Sequence, residues 1–167
     1  EFGKTEMWYV LDAAPGATLI YGFKNKIGKE EFKQAIESNT LLDVLNVVEV
    51  KKGDMFFIEA GTVHAIGAGL MICEIQQNSN TTYRVYDYDR RGADGKPREL
   101  HIEKAIAVSN TTPISDSENS HEIKEFDGYK TRLIASCKYF TSEKIDVSDK
   151  VTIKLDTESF KSVIVTE

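Results

Sequence analysis

The sequence predicts a mainly β protein: an antiparallel sandwich or barrel with a helical insertion, followed by part of a second β domain. Three observations carry this. Short runs rich in Val, Ile, Phe and Tyr recur along the 167 residues, and turn residues such as Gly and Pro separate them. Helical spacing of apolar side chains appears only over 29–45 and 100–109. Hydrophobic residues make up 41% and charged residues 29%, so a packed core and a solvated surface are both available.

The elements follow in order. MWYVL (7–11) and ATLIY (17–21) are β-rich runs split by the turn signal AAPG. KEEFKQAIESNTLLDVL (29–45) places apolar residues at 32, 35, 36, 41, 42 and 45, which suits one helix or two short ones broken near Ser38-Asn39. Strands are expected at 46–51, 55–59, 70–76 and 82–88, then a polar loop at 90–97 and a short helix over 100–109. Residues 110–119 turn to Thr, Ser, Asp and Pro, the expected linker. Further β runs are expected at 129–136, 138–147, 150–156 and 159–166.

Composition excludes several function classes. The net charge of -6 disfavours nucleic acid, whose binding rewards clustered Lys and Arg. A small anionic substrate stays possible, because one or two cations in a cleft outweigh net charge locally. No apolar run approaches the roughly 20 residues of a membrane-spanning helix, and no signal segment opens the chain. Cys73 and Cys137 match no metal or redox spacing and read as buried reduced thiols, which fits a reducing cytoplasm. Both ends lie inside strand-like runs, so the chain reads as a piece of a longer protein.

The chemistry-bearing motif is GDMFFIEAGTVHAIGAG at 53–69. Gly53-Asp54 starts a strand with a tight turn, MFFI is a buried strand, and Gly61 allows the reversal that aims His64 into a barrel mouth. Alone, His64 reads as a structural histidine; this frame turns the reading toward metal ligation. The pattern Gly53, five residues, Glu59, Ala60, Gly61, Thr62, Val63, His64 resembles the second motif of the cupin superfamily, with Glu59 in place of its proline.

GKTEMWYVLDA, FFIEAGTVHAIGAGLMICEIQQNSNTTYRVYDYDR and GKPRELHIEKAI together narrow the resemblance to the type I mannose-6-phosphate isomerases, short bacterial branch. That resemblance implies a cupin jelly-roll barrel and conversion between mannose 6-phosphate and fructose 6-phosphate through a zinc-assisted cis-enediol(ate). It implies Glu6 and His64 as zinc ligands, the family's Gln-x-His pair having no counterpart in these residues. It also implies Arg84 as the active-site arginine and Lys4 as a lysine for substrate binding or proton handling. Where the family often carries Asp, the chain has Asn80, which cannot serve as a carboxylate base.

The resulting division is a catalytic cupin at 1–109 without its first strands, a linker at 110–120, and the start of a cupin-like sandwich at 121–167. With two zinc ligands, the isolated chain is expected to hold zinc poorly and to lack turnover. His101 is expected to pack or to cap a helix, His121 to face solvent, and residues 87–90 to form a salt-linked strand end. The competing class is a non-catalytic cupin module that binds a sugar or serves a structural or regulatory role. A metal-dependent oxygenase would want further histidines near Glu6, which are absent from these residues.

Overall fold

The computed structural model describes residues 3–88, 90–114, 122–155 and 158–166. These form two compact units, Glu1–Glu118 and Asn119–Glu167. No helix among the described residues is long and apolar enough to cross a membrane.

In the first unit two three-stranded antiparallel sheets face each other. One has the order β4-β1-β6 and the other β3-β2-β5, from β1 Glu6–Ala13, β2 Thr18–Phe23, β3 Leu45–Glu49, β4 Met55–Ile58, β5 His64–Ile66 and β6 Leu70–Gln76. Trp8 and Val10 of β1, Leu19 and Tyr21 of β2, and Phe56 and Ile58 of β4 fill the space between the sheets. Tyr21 Oη donates a 2.5 Å hydrogen bond to the Phe57 carbonyl, tying one sheet to the other.

Strand β2 is buried on both faces, which explains why TLIYGF shows no polar alternation. Leu19 and Tyr21 point inward, whereas Ile20 and Phe23 join a second core. Residues 20 and 23 differ in parity, so a regular strand would set them on opposite faces. The register shift between Ile20 and Phe23, with Gly22 at φ 72°, absorbs the extra residue.

Helices α1 (Lys29–Glu37), α2 (Leu41–Val44) and α3 (Ile102–Val108) cover that outer face. Phe32, Ala35, Leu41 and Ile106 are buried there beside Phe23. The expected break at Ser38-Asn39 is present, with Asn39 in the left-handed region at φ 57°. Lys29 Nζ donates to the Ala107 carbonyl at 2.7 Å and Lys33 pairs with Glu103 at 3.0 Å, fastening α1 to α3.

The second unit is a meander of β7 (Ile123–Phe126), β8 (Tyr129–Ser136) and β9 (Thr141–Val147). Asp127-Gly128 makes the two-residue turn between Phe126 and Tyr129, a hairpin signal the sequence reading overlooked along with β7. Ile134 and Ala135 are buried apolar residues among its described residues.

Three expected strands do not form among the described residues. Residues 82–88 are irregular. The described parts of 150–156 and 159–166 are also non-strand, with Leu155, Phe160 and Val165 at least 74% exposed. Alternating apolar residues favour a strand only where a neighbour supplies the ladder, and no described residue pairs with these segments. The second half of the expected linker, residues 115–120, and His121 lie outside the described residues. Cys73 and Cys137 are free thiols but only half-buried, so the burial expected of them is incomplete.

Candidate functional site

Strand β1 is central in its sheet, and Glu6, Trp8 and Val10 share its inward face. Opposite them on β6 stand Gln76, Glu74 and Ile72. Along both strands the inward face therefore grades from apolar at Val10 and Ile72 to polar at Glu6 and Gln76. Lys4, just before β1, reaches into this polar end: its Nζ lies 2.9 Å from Glu6 Oε2 and donates to Gln76 Oε1 at 3.0 Å.

His64 comes from the other sheet. The turn after β4 closes with the Thr62 amide donating to the Glu59 carbonyl at 3.0 Å. Gly61, at φ 94°, lies so close to α3 that a Cβ there would stand 2.7 Å from the Val108 carbonyl oxygen. The chain then enters β5 at His64, paired with Tyr21. His64 thus opens a strand just past the turn. Its Nε2 meets Glu6 Oε1 at 2.9 Å across the space between the sheets. Its ring packs edge-on against Trp8 at 5.2 Å.

The Glu6 carboxylate is fully buried, with the Lys4 ammonium and the His64 imidazole each 2.9 Å from it. Burial pushes this carboxyl up. The hydrogen bonds and charges of His64 and Lys4 outweigh it, so the group sits below the usual carboxylate range. Burial likewise pushes the Lys4 ammonium down, but Glu6 and then Glu74 hold it above the ordinary lysine value. Glu6 is therefore an anion and Lys4 a cation at neutral pH.

The His64 ring also has a fixed orientation. Its Nδ1 lies 2.8 Å from the Thr62 carbonyl oxygen, which can only accept, so Nδ1 carries a proton. Nε2 is the nitrogen left facing Glu6. An imidazole anchored through one nitrogen on a carbonyl, with a carboxylate beside the other, is a donor pair suited to zinc. Among the described residues no group of three His, Cys, Asp or Glu side chains converges, so Glu6 and His64 fit as two ligands of a site that needs more.

Sequence reasoning missed Glu74, Gln76, Gln77 and Trp8. Glu74 accepts from Trp8 Nε1 at 3.1 Å, and Gln77 Oε1 takes the Thr5 amide at 2.8 Å. The alternation in LMICEIQ was the available signal, since it sets Glu74 and Gln76 on the face of Leu70 and Ile72.

Arg84 belongs to a second cluster. No described hydrogen bond or ion pair joins it to Lys4, Glu6 or His64. Its Nη1 donates to the Glu99 carbonyl at 3.1 Å, and its Nε lies 3.9 Å from Asp87. Arg98 grips Asp87 through both Nε and Nη2, the first at 2.6 Å. Those hydrogen bonds hold the Asp87 carboxyl below its usual range against the opposing effect of burial. Within the expected salt-linked strand end at 87–90, Asp87 is paired with Arg98 and Arg84, but the segment ends no strand, and Asp89 lies outside the described residues. His101 occupies the N-cap of α3, yet its side chain makes no capping bond. Asn80 is exposed.

No family model matches the chain. A mannose-6-phosphate isomerase of Bacillus subtilis, ManA, is 43% identical over 154 residues, which is 92% of this chain and 48% of that protein. One of Streptococcus mutans is 42% identical, again covering 92% and 48%. The chain thus spans about half the length of the curated relatives it matches. The crystal structure of a mannose 6-phosphate isomerase from Bacillus subtilis superposes with a TM-score of 0.80 at 36% identity, over 87% of this chain and 46% of that one. A phosphomannose isomerase variant from Salmonella typhimurium shares the fold at 14% identity and a TM-score of 0.52.

Proposed function

We propose that this chain, similar over nearly its whole length to mannose-6-phosphate isomerases and spanning about half of theirs, forms part of an active site that interconverts mannose 6-phosphate and fructose 6-phosphate. The observation that carries the reading is the contact of Glu6 with His64 across the two sheets, with Lys4 on the same carboxylate. A structural barrel has no use for a buried carboxylate at that junction, since removing charge from water costs free energy that apolar packing avoids.

The reaction moves a proton between C2 and C1 through a cis-enediol(ate), and negative charge develops on the sugar oxygens. Glu6 and His64 would hold a zinc ion together with further ligands, and the bound ion supplies Lewis-acid polarisation of those oxygens. Arg84 would supply a permanent guanidinium charge for the enediolate. Lys4, beside Glu6 and Glu74, would supply a cation for substrate oxygens or for proton handling. Trp8 and the apolar layer beneath it keep water from the inner side of Glu6.

Two ligands do not retain zinc tightly, so these 167 residues alone should carry none and show no turnover in a coupled assay. The complete protein should show both. Robust turnover by the 167-residue chain would contradict the ligand count. Zinc-free, sugar-binding behaviour of the complete protein without turnover would favour the non-catalytic module.

A further inference from the structure

Building on the isomerase reading, we propose that His101 is the positioning residue of Arg84, holding the arginine's main chain in place through its own imidazole and amide.

Arg84 lies in irregular backbone, where no ladder fixes the chain and each polar main-chain group needs another partner. His101 provides both. Its Nδ1 accepts the Arg84 amide at 3.2 Å, and its own amide donates to the Arg84 carbonyl at 2.7 Å. The ring is available for this because it leaves the helix uncapped, unlike the usual side chain at that position. Accepting at Nδ1 places the neutral ring's proton on Nε2, which lies 3.9 Å from Glu99 Oε2.

His101 is itself anchored. Its carbonyl accepts the Ala105 amide at 2.9 Å to begin α3, and Ala105 and Ile106 of that helix are buried. Rigidity therefore passes from the apolar core through α3 to His101, and from His101 to Arg84. The same short segment supplies the rest of the arginine's surroundings: the Glu99 carbonyl on Nη1, and Arg98 gripping the Asp87 that faces Nε. A guanidinium on an irregular segment gains the fixed geometry that transition-state stabilisation needs only from such external bonds.

The test uses the complete protein with three substitutions and two readouts, steady-state kinetics and the Arg84 amide signal in an NMR spectrum. His101→Asn keeps an acceptor near the Nδ1 position, His101→Gln moves it one bond further out, and His101→Leu removes it. We expect His101→Leu to lower kcat by about 10- to 100-fold with little change in KM, and to shift the Arg84 amide. His101→Asn should retain both the signal and most of the rate, and His101→Gln should lose both. A folded leucine variant with parental kcat overturns the proposal, as does a folded asparagine variant that falls as far as leucine. If the leucine variant fails to fold, the asparagine and glutamine variants decide on the same readouts. If the unsubstituted protein does not isomerise the sugar, the isomerase reading falls and the catalytic consequence with it. The Arg84 amide then still shows whether the clasp exists.

Discussion

Glu6 and Arg84 centre two charged clusters that are built in opposite ways. Glu6, Trp8 and His64 sit on strands of facing sheets, so ladder register and the core between the sheets fix their relative positions. Arg84, Asp87, Arg98 and Glu99 sit on irregular chain and hold one another by charge and by main-chain bonds. The strand-borne cluster inherits its geometry from apolar burial. The loop-borne cluster makes its own and borrows rigidity at one point, the start of α3. Disturbances should therefore reach the two clusters by different routes.

The largest expected effect on stability comes from the helical layer. Phe32 is fully buried between α1 and β2, edge-on to Phe23 at 5.1 Å. Phe32→Ala should cost about 4 kcal/mol in urea unfolding. Hydrogen exchange should rise first in α3 and residues 84–101, while the β1–β6 ladder stays protected. Equal loss of protection in both clusters would remove the distinction.

A smaller, pH-dependent effect belongs to Asp87. Its carboxyl lies below the ordinary value chiefly because Arg98 donates to it. Stability from this group is fully present above its unfolded pKa of about 3.9 and is lost as pH falls through the lower folded value. Asp87→Asn should therefore lower the urea midpoint near neutral pH, and the gap from the parent should close in acid. A gap that persists unchanged to strongly acidic pH would mean that ionisation of Asp87 contributes nothing.

The same contrast explains what was legible in the sequence. Alternation and turn residues disclosed β1, β2, β3, β4, β6 and β8 within a residue or two, because burial imposes those patterns. Glu6 and His64 could be read because a glycine frame and a strand start position them. The segment 82–88 misled because its β-favouring residues lack a pairing strand. The clasp on Arg84 left no periodic trace, since a hydrogen bond between residues seventeen apart depends on how two irregular segments cross. Strand β7, fully exposed, carried no apolar alternation to read.

The junction of the two sheets is tested most directly by Glu6→Gln in the complete protein, assayed for conversion of mannose 6-phosphate. The substitution keeps the side chain's shape and removes its charge between Lys4 and His64. The expected result is a loss of about 1000-fold or more in kcat/KM, with bound zinc also lost and the circular-dichroism spectrum intact. A folded Glu6→Gln protein that keeps its zinc and turns over mannose 6-phosphate at the parental rate would contradict the account.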